Sequence, residues 1–164
     1  MTPDIVNQLA GLPEGSALAA ARATRPEFVE GAEACRAAVL EPVADVGLGR
    51  PLRAALAARM ARLNADETLA AFYRSKLAAL SDDPAMLRIA EGAYPDAIGD
   101  RLRAILRHTD FITIAPRACT RADTERLVAQ GLTVPEVIAL AELIGFLNFE
   151  VRILATLNLL KATA

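Results

Sequence analysis

The stretch AARMARLNADETLAAFYRSKL, residues 57–77, decides how this chain divides. Ala, Leu and Arg dominate its first half, and an apolar pattern returns in its second, reaching Phe72 and Tyr73. Between them Asn64, Asp66, Glu67 and Thr68 fall within five residues. Asn suits the end of a helix, and an Asp carboxylate accepts the free N–H groups of the next one. The spacing therefore predicts one helix from Pro51 to about Asn64 and another from about Asp66 to Leu80.

The rest of the sequence supports the same class. Of the 164 residues 54% are hydrophobic, only 4% are aromatic and none is Trp, so the core must be built from Ala, Leu and Val on closely packed helices. Ala, Leu, Arg and Glu lose little side-chain freedom in a helix. Ser16 is expected to cap a segment reaching Ala23. Pro26 fits the first turn of a helix that stops before Pro42. PVADVGLGRP, residues 42–51, reads as a loop, and SDDP, residues 81–84, ends one helix and opens a short one. The segment 95–115 reads as one long helix. Thr120 with Asp123 and Thr133 with Glu136 are capping boxes, and Gly131 suits the left-handed position after a helix. No strand pattern emerges. The expectation is an all-α single domain, 1–164, with residues 1–30 as an N-terminal extension packed on the core.

Several function classes are disfavoured. With 18 Lys plus Arg against 20 Asp plus Glu, the net charge of −2 gives no electrostatic footprint for nucleic acid. Two separated cysteines, Cys35 and Cys119, and one histidine, His108, do not make a zinc site, so no metal or cofactor is expected. Asp4 stands where a signal peptide needs positive charge. A cytoplasmic location with reduced thiols is expected. VIALAELIGFLNFEVRILATLNLL, residues 137–160, is interrupted by Glu142, Glu150 and Arg152 and falls short of the roughly 20 apolar residues a bilayer needs. It reads as a helix apolar nearly all round, buried in a core or a subunit interface. Its charges need partners, Arg152 or an Arg of another subunit.

Two stretches carry a family resemblance: residues 57–77, above, and VAQGLTVPEVIALAELIGFLNFEVRIL, residues 128–154. In that order they resemble the carboxymuconolactone decarboxylase and alkylhydroperoxidase D superfamily, over roughly residues 30–160. The resemblance implies an alkylhydroperoxidase D-like multi-helical domain that oligomerises through its helices as a dimer, trimer or hexamer, and a possible catalytic paralogue as partner. It also implies peroxidase or peroxiredoxin-type activity, which in the family uses Cys-x-x-Cys-x-x-x-His and an upstream Glu. A thiolate attacks the peroxide, a second thiol resolves the sulfenic acid, and the His and Glu move protons. Laid over this sequence without gaps, those positions hold Asp66, Leu69, Tyr73 and, for the Glu, Ala54. All four redox groups are replaced, and a thiol peroxidase of the usual type is not expected.

Asp66, Leu69 and Tyr73 share a helix face, so Asp66 and Tyr73 are the candidates for acid–base work or for holding a polar ligand; as alternatives, Asp66 is an N-cap and Tyr73 a packed ring with its hydroxyl at the surface. Arg59 and Arg62 either supply positive charge to a ligand carboxylate or pair with Asp66 and Glu67. His108 titrates near neutral pH and is a candidate acid–base or ligand group. Cys119, beside Arg117 and Arg121, is the candidate reactive thiol. The resulting expectation is a degenerate, non-peroxidatic protein that binds a small molecule or assists a catalytic relative. Two alternatives stay open: an enzyme using non-thiol acid–base chemistry on a small carbonyl or lactone acid, and a structural partner of a catalytic paralogue.

Overall fold

A computed structural model describes residues 4–163. Among them the chain forms helices and one 3-10 turn and no strand. The helices are α1 (Ile5–Leu9), α2 (Ala17–Ala23), α3 (Pro26–Leu40), α4 (Arg50–Leu63), α5 (Glu67–Leu80), α6 (Pro84–Ala90), α7 (Asp100–Ile114), α8 (Arg121–Ala129) and α9 (Val134–Thr163), with the 3-10 turn at Pro116–Ala118. The all-α fold expected from the sequence is the one found.

Helix α4 is the hub. Every residue from Arg53 to Ala61 is buried, and α3, α5, α6, α7 and α9 all pack against it. Five of those nine residues are Ala. Small side chains on every face let neighbouring helices approach closely from all directions, which is how a core nearly free of aromatics reaches a normal packing density.

The polar knot at 64–66 is a stop followed by a restart. Asn64 ends α4 and its side-chain amide donates back to the Met60 carbonyl. Ala65 adopts a left-handed φ of 58°. The Asp66 N–H then reaches the Ala61 carbonyl and the Ala65 N–H reaches that of Arg62, closing a Schellman motif. A side chain in this conformation costs about 1 kcal/mol relative to glycine. Asp66 at once caps α5, its carboxylate accepting the Leu69 N–H at 2.9 Å.

Helix α9, 30 residues and so about 45 Å long, carries a buried stripe through Leu140, Leu143, Leu147, Val151 and Leu154. On its other faces Val134, Ile138, Phe149, Leu159 and Leu160 are exposed, so the apolar character expected nearly all round α9 is only partly covered by this chain. Its capping box forms as expected, with Glu136 accepting from the Thr133 N–H at 2.7 Å. The loop before α4 is held against this corner. Gly47 has φ 97° and lies so close to Glu136 that a Cβ there would stand 2.1 Å from its carboxylate.

The long helix expected over 95–115 begins only at Asp100. Gly99 is extended, with ψ 163°, and the residues before it form a loop. None of the described helices is long and apolar enough to cross a membrane.

Candidate functional site

Tyr73 lies on the inner face of α5 and is fully buried, so the expectation of a surface hydroxyl is corrected. Its hydroxyl donates to Glu150 Oε2 of α9 at 2.5 Å. The other oxygen of Glu150 accepts from Arg36 of α3, through Nε at 3.2 Å and through Nη2. Arg36 Nη1 reaches back one turn to Glu33, whose second oxygen accepts the Ile5 N–H at 2.9 Å. A chain of polar contacts thus runs from α1 through α3 and α9 to α5, with Tyr73 at 0% and Glu150 at 1% exposure. The pairing expected between Glu150 and Arg152 is not formed. Residues two apart on a helix point in different directions, and the Arg152 guanidinium instead bonds the Asn148 carbonyl.

Burial dominates the electrostatics. It pushes the Tyr73 hydroxyl well above its ordinary range, and the Glu150 carboxylate beside it pushes the same way. Burial also raises Glu150; Arg36 and Tyr73 pull it down without overcoming that, and Glu33 adds a like charge. Arg36 loses hydration but is held above its usual value by Glu150 and Glu33. Burial thus accounts for the upward shift of Glu150, and the like charge of Glu33 adds to it. Tyr73 therefore stays a neutral donor at physiological pH.

The remaining sequence candidates do not join this network. Asp66 points its carboxylate at the α5 N-terminus. Asp66→Ala is expected to cost about 1 kcal/mol of stability, read as a lowered denaturation midpoint with unchanged ligand-binding behaviour; a change in binding at unchanged stability would argue for a site role. Leu69 is core. Arg59, expected to meet a ligand, Asp66 or Glu67, reaches Asp110 of α7 instead, through Nε at 2.6 Å and Nη2 at 2.7 Å. Its Nη1 donates to the Ala93 carbonyl at 2.8 Å, and its guanidinium lies 4.5 Å from the centre of the Tyr94 ring. Burial opposes its charge, but Asp110 more than compensates. Arg62 stays at the surface, 3.7 Å from Glu67.

His108 lines a cavity of about 600 Å³ between α7 and α8, and burial holds its imidazole below the ordinary histidine value. Cys119 is half-buried after the 3-10 turn and Cys35 is exposed on α3; both are free thiols. Cys35 borders a second cavity, of about 610 Å³, between α3 and α9, where Phe28, Phe146 and Phe149 are its aromatic walls. Neither cavity is lined by Asp66, Tyr73 or Glu150. Among the described residues no three His, Cys, Asp or Glu side chains are grouped as a metal would require.

No protein-family model and no curated protein matches this sequence. The backbone is similar to that of an uncharacterized peroxidase-related protein from Silicibacter sp. TM1040, with a TM-score of 0.67 and 21% sequence identity. The likeness covers 79% of this chain and 68% of that one. The two share a fold.

Sequence reasoning singled out Tyr73 but missed Arg36 and Glu33, and of the partners it offered Glu150, Arg152 is not the one used. A faint signal for Arg36 existed. It stands one turn after Ala32, on the face of α3 that is buried. An Arg there must find a carboxylate, but nothing local says that the carboxylate lies 114 positions away. Asp110 and Tyr94, the partners of Arg59, gave no sequence signal at all.

Proposed function

We propose that this chain is a degenerate relative of the carboxymuconolactone decarboxylase and alkylhydroperoxidase D superfamily that binds a small molecule, or accompanies a catalytic relative, without thiol peroxidase chemistry. One observation carries the reading. The position where the family needs a proton-relaying His holds Tyr73, locked onto Glu150 and Arg36 and sealed from solvent. Tyr73 itself is wholly buried, and both cysteines are free thiols. A resolving cysteine must sit within reach of the first to form a disulfide, and the bonding gives neither Cys35 nor Cys119 such a neighbour.

Acid–base catalysis by Asp66 and Tyr73 has less support, because Asp66 is spent on a helix cap while Tyr73 faces Glu150. The exposed apolar residues of α9, Phe149 and Ile138 among them, fit a homo-oligomer. A cytoplasmic setting fits the free thiols.

The test is consumption of cumene hydroperoxide by the purified protein with dithiothreitol as reductant. Turnover at the level of the protein-free control is expected, unchanged in a Cys35→Ser/Cys119→Ser variant. Turnover abolished in that variant would overturn the reading and make a cysteine the nucleophile.

A further inference from the structure

The cavity between α7 and α8 has a composition that neither the fold nor the Tyr73 network explains. Helix α7 turns toward it the face carrying Arg103, Arg107, His108 and Phe111, at helical spacing, and α8 the face carrying Asp123, Arg126 and Leu127. Its volume of about 600 Å³ is that of a small-molecule site. Three guanidiniums face two carboxylates, Asp100 and Asp123.

The carboxylates are already occupied with other tasks. Asp123 accepts the Thr120 N–H at 2.8 Å and hydroxyl at 2.7 Å on one oxygen, and Arg126 at 2.5 Å on the other. Asp100 stands in the first turn of α7, where the helix dipole favours a negative charge. Arg103 and Arg107 have no carboxylate within 4.0 Å among the described residues. The contact Arg103 does make is a long one, 3.5 Å, to the Ile98 carbonyl. Two unpaired guanidiniums one helical turn apart present a fork-shaped donor set, which matches the oxygens of a carboxylate, phosphate or sulfonate. Phe111 and Leu127 supply an apolar wall beside them.

We propose that this cavity binds a small organic anion, its head group on Arg103 and Arg107 and its apolar body against Phe111 and Leu127. This inference rests on the small-molecule-binding part of the reading above. His108 lies in the same wall, among Asp100, Arg103, Arg107, Asp123 and Arg126, and is half-buried. In the free protein burial lowers the pKa of its imidazole, while Asp123 pulls the other way. A bound anion stabilises the imidazolium, so binding and protonation reinforce each other.

His108 is the chain's single histidine, so its imidazole gives one unambiguous NMR signal. That signal is followed while phenyl phosphate, benzenesulfonate or benzyl alcohol is added. Both anions are expected to shift it saturably and to raise the pKa of His108; the neutral alcohol is not. Benzenesulfonate, whose own charge does not change in this range, should bind more tightly as pH falls from about 8 to about 5.5. Arg103→Ala/Arg107→Ala should weaken both anions at least about tenfold, since each removes a charge-assisted contact. Neither Arg gives up an ion pair, so the variant's melting temperature should match that of the parent chain.

Absence of a saturable shift with the anions, equal binding of benzyl alcohol, or undiminished affinity in the folded double variant would overturn the proposal. The pH dependence in the unmutated chain decides the matter should that variant fail to fold. A chain inert toward hydroperoxide yet silent to both anions sinks this inference and leaves the preceding reading standing. Thiol-dependent turnover together with an anion-responsive His108 does the reverse.

Discussion

Glu150→Ala should destabilise the chain by about 3–5 kcal/mol, the usual consequence of stranding the partner of a buried ion pair. Glu150 is the acceptor that holds Tyr73 and Arg36 together, so its loss leaves a buried guanidinium with Glu33 as its remaining carboxylate and a buried hydroxyl without its acceptor. For a chain of this length the melting temperature should fall by about 10 °C. Tyr73→Phe removes one donor and keeps the ring, so the expected loss is smaller, about 1–2 kcal/mol. Thermal and urea unfolding of both variants checks the order as well as the size. A loss below about 1 kcal/mol for Glu150→Ala would mean that Arg36 finds water or another acceptor, and that the network is not sealed. That result would reopen Tyr73 as a ligand-contacting group.

Arg59→Ala should be of similar severity, about 3–5 kcal/mol, for a related reason. Arg59 is 1% exposed and ties α4 to α7 through Asp110 and to the segment after α6 through the Ala93 carbonyl. It also stacks on Tyr94, whose hydroxyl shares Asp110 with it at 2.5 Å. Removing it leaves Asp110 with the Tyr94 hydroxyl as its remaining partner and takes the side-chain donor from the Ala93 carbonyl. Arg59→Lys keeps the charge but cannot form the paired contacts with Asp110, so it should recover less than half of the loss. Chemical denaturation of the two variants tests this directly. Full rescue by Lys would show that charge alone, without the fork geometry, maintains the junction.

The junctions between helices were legible in the sequence because caps act over three or four residues. Asn64, Asp66, Ser16, Thr120 and Thr133 each sit where their side chains or neighbours read them, and each marks a real helix end. The start of α7 was misplaced because nothing local distinguishes a helical Asp96 from one in a loop. That boundary follows from where α7 must begin for Ile105, Leu106 and Thr109 to face the core. The same division holds for the site. Tyr73 was singled out in the sequence, since that needs only its position along one helix. Its bond to Glu150, 77 positions on, was not.

What the sequence by itself determined is the class of fold and the absence of the dithiol. An Ala-rich chain with few aromatics folds into close-packed helices, and its two cysteines, Cys35 and Cys119, form no Cys-x-x-Cys. Which charges meet is set by the packing of the helices. Arg36 closes on Glu150, Arg59 on Asp110, and Arg103 and Arg107 are left facing a cavity. The physical reason is that helix formation is governed by neighbours three and four residues away. The partner of a buried charge is chosen by how helices cross, and no local pattern records that crossing.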